Sequence, residues 1–269
     1  FGIFPNDSAI VEFVEKVSKD VLTIVTLHTV MLDPQVRSNC YKKLSVLLNY
    51  RIIVHTARMA ERLVAVDVNA QIIPHGTQEV EQLYRIVVRG NGTTCLTTGF
   101  FGPNKGVEEL VETFLRERSP EDRYILAGQF HPDVRANVSY LQRDLGDHYA
   151  LEIRDGFIPF REMDRLYRQS DLVLLNIKGK GATASASGQA HLAIAYGLPT
   201  LSPCAPIYDD LTTDRGFKFR TKGELTDILG SVLYKPELLD IFSVEIDRYR
   251  KETAWSNVAA KTVELYEKQ

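Results

Sequence analysis

Apolar positions along the chain alternate between two periods. Ile10, Phe13, Val14 and Val17 stand at helical spacing, and the run from Val21 to Leu27, rich in β-branched residues, follows as a strand. The alternation continues with a helix over 35–48, a strand from Arg51 to Val54, a helix near 57–66 and a strand from Gln71 to Pro74. These elements make half of a doubly wound domain. Residues 77–92 are polar and contain Gly90, Asn91 and Gly92, which places a boundary between lobes there.

From Thr94 the pattern restarts. A strand from Cys95 to Thr98 leads through a Gly99 to Gly106 loop to a helix with Val107, Leu110, Val111 and Phe114 on one face. Strands at Tyr124 to Ala127, Ala150 to Ile153 and Leu172 to Leu175 alternate with helices over 133–144 and 161–168. Ser187 and Gly188 then open a helix whose Leu192, Ala195 and Tyr196 supply a face for burial. Gly197 to Pro199 stops it before a strand begins at Thr200. Thr221 and Glu224 form a capping box for a helix reaching Leu233, and helices near 236–250 and 255–267 follow. Such alternation implies parallel sheets with right-handed crossovers.

Composition removes several function classes. The 269 residues are 44% hydrophobic and 25% charged, and no apolar run approaches the ~18 residues of a membrane span. A net charge of -3, with Lys and Arg scattered, leaves no electrostatic footprint for nucleic acid. Three cysteines, Cys40, Cys95 and Cys204, lack metal-ligand spacing and fit a reducing compartment, so a cytoplasmic location is expected.

Two segments carry the candidate chemistry. In an open parallel sheet, ligands gather outside the carboxyl ends of strands, where helix amino termini offer free N–H groups and partial positive charge. The helix opened by Ser187 and Gly188 suits a phosphate on this ground. In the loop Gly99-Phe-Phe-Gly-Pro-Asn-Lys-Gly106, glycines let the backbone approach a ligand and Lys105 can neutralise phosphate charge. No Gly-Lys-Ser/Thr follows, so it is not a Walker loop, and on spacing alone an ordinary turn with a solvated lysine fits equally well.

Taken in order, the motifs resemble those of the family 4 retaining glycosyltransferases, the glycosyl transferases group 1. They are Leu27-His28-Thr29, Val54-His55-Thr56, Ile73-Pro74-His75-Gly76, the Gly99 to Gly106 loop, Ala127-Gly128 with His131-Pro132, Ser170-Asp171, Ser187-Gly188 with Gly197-Leu-Pro199, and Trp255-Ser-Asn-Val. The resemblance implies the GT-B fold, two Rossmann-like doubly wound α/β domains facing across a cleft. Its match begins partway through the first of these, which implies that the first domain is incomplete here and that further residues precede Phe1. The division implied is a partial acceptor-side domain over 1–78, a nucleotide-sugar domain over 79–245 and helices over 246–269 crossing back to the first domain.

The implied reaction is hexosyltransferase-like, moving a sugar from a nucleotide-diphosphate donor to a glycan or glycoconjugate acceptor with retention and without a metal or other cofactor. Lys105 would stabilise charge on the leaving diphosphate. Gly99, Phe100, Ser187, Gly188 and Gln189 would line the same group, and Phe157 and Ile158 match the position that contacts the base. His28 corresponds to a histidine facing the donor sugar. The competing account makes it a strand-end histidine satisfied by backbone. His55, His75 and His131 read as structural, His191 as a polar face or a packed edge of its helix, and Asp209 and Asp210 as solvated loop acids.

The chain departs from the family pattern at three positions. Two glutamates common in the family fall on Ala184 and Leu192, and an arginine of the lysine loop falls on Phe100. These departures motivate a second reading, a catalytically silent relative acting as a partner or regulatory subunit. A sugar-nucleotide epimerase, sharing the two-lobe architecture, should show paired acid and base carboxylates, and no convincing pair is present. Peripheral membrane association is compatible with the sequence, and the oligomeric state is left open by it.

Overall fold

The computed structural model describes residues 7–31, 33, 37–49, 51–81, 92–145, 149–177 and 183–267. They divide into two compact units, one gathering Phe1–Gly76, Gly181–Ser187 and Thr253–Gln269, the other Thr77–Lys180 and Gly188–Glu252. Gly90 and Asn91, the centre of the expected boundary segment, lie outside the described residues.

In the first unit, α1 (Asp7–Val17), β1 (Val25–Leu27), β2 (Thr29–Met31), α2 (Ser38–Leu47), β3 (Ile52–Val54), α3 (Ala57–Val64) and β4 (Gln71–Ile72) follow in order, joined by β9 (Thr183–Ser185) and α10 (Trp255–Glu267). β1, β3 and β4 form a parallel sheet with β3 in the centre. All three β3 residues are buried because a central parallel strand is covered on both faces. Ile52 and Val54 pack with Leu27, Tyr41, Leu44 and Met59, whereas Ile53 points the other way, towards Ile73 and Val258 of α10. β2 and β9 pair antiparallel, and the opposed Val30 and Ala184 are both fully buried in the larger cluster.

The second unit is built on β5 (Thr94–Thr98), β6 (Arg123–Gly128), β7 (Leu151–Asp155), β8 (Leu172–Leu174), β10 (Thr200–Pro203) and β11 (Gly216–Phe219). They lie in the order β11-β10-β8-β5-β6-β7, every pair parallel. This is the Rossmann order, in which winding proceeds outwards from β5, then returns to its other side at β8. Successive strand residues point to opposite faces. Cys95, Tyr124, Leu126, Leu172 and Leu174 therefore pack with α4 (Val107–Glu117), α5 (Pro132–Asp144) and α8 (Lys222–Tyr234). Leu96, Ile125, Ala127 and Val173 pack instead with α6 (Phe160–Arg168), α7 (Gly188–Ala195) and α9 (Ser243–Glu252).

Several elements differ from the sequence expectation. The strand expected over Val21 to Leu27 is confined to Val25–Leu27. The helix expected over 236–250 is instead a 3-10 segment, Pro236–Phe242, followed by α9. The short strands β2, β9 and β11 have no counterpart in the expected pattern.

One close approach holds the sheet edge that matters below. Gly128 ends β6 at φ +150°, and a Cβ there would overlap the Gly99 carbonyl oxygen at the end of β5. Gly128→Ala is expected to destabilise the protein by at least about 2 kcal/mol, because both the backbone conformation and the space are lost. Urea unfolding checks this through a lowered midpoint, and an unchanged midpoint would contradict the account.

Candidate functional site

The sheet reverses its winding between β5 and β8. From β5 the chain crosses to α4 on one face, and from β8 it crosses to α7 on the other, so a crevice opens beyond the carboxyl ends of these two strands. The loops on either side interlock. Asn176, just after β8, donates through Nδ2 to the Gly106 carbonyl at 2.9 Å and to Glu109 Oε2 at 2.9 Å. Across the crevice, Gln189 Nε2 lies only 2.6 Å from where a Cβ on Gly99 would sit. Gly99 at φ +108° and Gly106 at φ +56° occupy left-handed backbone that favours glycine at both ends of the lysine loop.

Between these glycines, Pro103–Lys105 makes one 3-10 turn and presents Lys105 half-buried. The Lys105 ammonium forms no hydrogen bond or ion pair with any described residue. Burial pushes its ammonium below the usual lysine range. A partly desolvated cation without a carboxylate is a place where an anion binds with gain. α4 brings Glu108 and Glu109 in its first turn, whereas α7 has no acidic residue in its first turn. The positive end available to a ligand is thus that of α7, where Gly188 is exposed and a Cβ on it would meet open space. Ser187, the residue before, is buried, and Gln189 is half-buried.

The remaining expected residues are spread along this edge and beyond it. Phe100 is 55% exposed and Phe157 92% exposed, whereas Ile158 packs against the sheet's core. Phe157 follows β7, two strands from β5, so it stands about 10 Å along the edge at the usual strand spacing. His28 is in the first unit, exposed at the end of β1, with Nδ1 3.0 Å from His55 Nε2. The structure brings Gly99, Lys105, Gly188 and Gln189 to one crevice, places Phe157 and Ile158 further along the same sheet edge, and puts His28 in a separate histidine cluster.

Ala184 and Leu192 take on a physical meaning. Ala184 is fully buried in β9 against the apolar core of the first unit, and Leu192 packs against the core around α7. A carboxylate at 184 would be buried among apolar side chains, which is costly without a partner.

The expectation that Asp209 and Asp210 are solvated loop acids is corrected for Asp210. Its side chain is 7% exposed and its Oδ2 lies 2.6 Å from His191 Nε2. His191 is buried, and its Nδ1 lies 2.9 Å from Thr77 Oγ1. Both ring nitrogens are therefore bonded, and His191 anchors the body of α7 rather than lining the crevice. Arg215 stacks 3.8 Å from the Tyr249 ring beside it and donates to the Asp210 carbonyl. His131 caps α5 through Nδ1, as its local reading implied. Asn176 is a residue the sequence reading passed over, and His55, read as structural, is bonded to His28.

No protein-family model matches the chain, and no curated protein sequence matches it. Solved structures share its fold. HepE from Anabaena in complex with UDP superposes with a TM-score of 0.72 at 15% identity, over 98% of this chain and 77% of that one. A glycosyltransferase from Rickettsia africae gives 0.72 at 14% identity over 98% and 82%. Sucrose-phosphate synthase from Thermosynechococcus elongatus gives 0.66 at 15% identity over 94% and 69%. At such identities the likeness is one of fold, and the fold is the α/β arrangement of two Rossmann-like domains termed GT-B.

The anchoring of α7 makes a checkable claim. Asp210→Ala leaves His191 Nε2 buried without its partner, and is expected to cost about 2 kcal/mol or more. A fall in the urea midpoint measures it; stability equal to that of the unaltered chain would show that the pair does not anchor the helix.

Proposed function

We propose that the chain is a retaining, metal-independent glycosyltransferase that moves a hexose from a nucleoside-diphosphate sugar to a glycan or glycoconjugate acceptor. The observation that carries this reading is a half-buried Lys105 ammonium, without an ion-pair partner among the described residues, on the loop after β5, whose first residue Gly99 has Gln189 of the acid-free α7 amino terminus set against it. The fold it shares with HepE, crystallised with UDP, supports a nucleoside diphosphate as the anion.

The chemistry follows from charge. When the bond between sugar and diphosphate breaks, negative charge grows on the leaving oxygens. Groups already aimed at that charge lower the barrier without reorganising. Lys105 supplies a cation, and Ser187, Gly188 and Gln189 supply N–H groups and a hydroxyl. A helix terminus contributes roughly 0.3–1 kcal/mol per charge when exposed and more in a closed site. Phe157 and Ile158 are assigned to the base, since the two strand spacings between β7 and β5 suit the reach from a base across its ribose to the diphosphate. His28 is assigned to the sugar. Among the described residues no helix is long and apolar enough to cross a membrane, and the thiols of Cys40, Cys95 and Cys204 are unbridged; the cytoplasm is the compartment proposed.

A second reading keeps the fold and the diphosphate crevice but not the transfer. The burial of Ala184 in β9 favours it, because that position offers nothing to a sugar. Calorimetry with UDP and the other nucleoside diphosphates separates the two. Binding of at least one, followed by sugar transfer or donor hydrolysis, is the expected result. Binding without either reaction selects the silent relative, and binding of none sinks the transferase. Lys105→Ala is expected to weaken diphosphate affinity about tenfold or more, and unchanged affinity would remove Lys105 from the site.

A further inference from the structure

The parallel sheet of the first unit ends in a row of histidines. His28 directly follows β1, His55 directly follows β3 and His75 lies just beyond β4. The His28 and His55 ring centroids are 4.6 Å apart, and those of His55 and His75 5.3 Å. Trp255, at the start of α10, packs beside them, 5.9 Å from the His75 ring and over Gly76, where any Cβ would overlap the indole.

The hydrogen bonds in this row have a direction. His55 Nδ1 lies 3.0 Å from the Ile73 carbonyl oxygen, and its Nε2 lies 3.0 Å from His28 Nδ1. A carbonyl oxygen only accepts, so His55 carries its hydrogen on Nδ1. In the neutral pair His55 Nε2 therefore holds a lone pair, and the hydrogen between the rings belongs to His28 Nδ1. The one ring nitrogen this leaves on His28 is Nε2, a bare lone pair on an exposed side chain. His75 is turned elsewhere, donating from Nδ1 to the Gly76 carbonyl at 2.8 Å.

We propose that His55 is a positioning residue that fixes His28 in the Nδ1–H tautomer, so that His28 meets its ligand as a hydrogen-bond acceptor for a neutral hydroxyl. A lone pair at Nε2 repels the oxygens of a phosphate and takes the hydrogen of a sugar hydroxyl. His28 is thereby suited to a sugar hydroxyl rather than to an anion. Only the identity of that hydroxyl rests on the transferase reading; the tautomer does not.

The test is nitrogen NMR of the chain labelled with 15N in its imidazole rings, at a pH where the histidines are neutral. Single His→Gln variants assign the signals. His28 is expected to show a protonated Nδ1 and an unprotonated Nε2. In His55→Phe, which keeps a ring and removes the acceptor, the His28 Nε2 signal is expected to move towards the protonated position. In His55→Gln, whose Oε1 can accept from His28 Nδ1–H, it is expected to stay near its original place. A His28 protonated at Nε2 in the unaltered chain, or a His28 spectrum indifferent to His55→Phe, overturns the proposal. Should His55→Phe fail to fold, the unaltered chain and His55→Gln still decide.

With a transferable donor in hand, His55→Phe is expected to lower kcat about tenfold with little change in donor KM, the mark of a group acting through His28 rather than on the diphosphate. Transfer unaffected by His28→Ala would overturn the substrate-hydroxyl half while the spectrum still judges the relay. Failure of nucleotide binding altogether would instead count against the transferase reading.

Discussion

The pairing of β5 with β8 is the constraint on which the second unit depends. Cys95 stands opposite Leu172 and Leu96 opposite Val173, although two strands and three α-helices intervene in the chain. The seam is reinforced along its length. Asp171 Oδ2 accepts from the Thr94 N–H at 2.9 Å, and Thr97 Oγ1 donates to the Leu174 carbonyl at 2.7 Å while bonding the Tyr124 hydroxyl at 2.8 Å. Because the chain arrives at β8 from the far side of the sheet, its next crossover must leave on the face opposite α4. Every feature of the crevice follows from that: two loops diverging, Asn176 spanning them, and Gln189 set against Gly99.

Much of this was legible in the sequence, and the reasons differ by element. Strands covered on both faces read as continuous apolar runs, so Tyr124 to Ala127 and Leu172 to Leu175 identify themselves. β2, β9 and β11 are three or four residues long, and what makes them strands is a partner distant in sequence. Gly99 and Gly106 of the β5 loop were legible because backbone geometry demands glycine there, and Lys105 and the Ser187-Gly188 opening were legible from their place between a strand and a helix. Asn176 was not, since an asparagine after a strand acquires its role only when Gly106 is brought beside it. The His28 and His55 pairing did leave a signal: Leu-His-Thr and Val-His-Thr end two successive strands. In a parallel sheet with Leu27 opposite Val54, such repeats become neighbours.

α7 reconciles two demands that usually conflict. Its alanines, Ala190, Ala193 and Ala195, are small enough to lie close against the sheet, which brings its amino terminus to the strand ends. A helix so short gains little stability from its own hydrogen bonds. The shortfall is met by a polar anchor inside the protein, where His191 is held from both sides by Thr77 and Asp210. The orientation of the N–H groups at Gly188 and Gln189 is thereby set by buried contacts rather than by the ligand, the condition under which a dipole can stabilise developing charge.

The division of the chain also orders events in time. The first unit holds β1 to β4, yet its β9 comes from Gly181–Ser187 and its α10 from Thr253–Gln269. Domains on a growing chain generally fold as their residues emerge, from the amino terminus onwards. Here β1 and β3 are synthesised long before the helix that covers Ile53, and Val30 waits for Ala184. On the ribosome the residues of β1 and β3 are made well before the segments that complete their packing, so the unit that carries the histidine row spends synthesis with one face of its sheet uncovered.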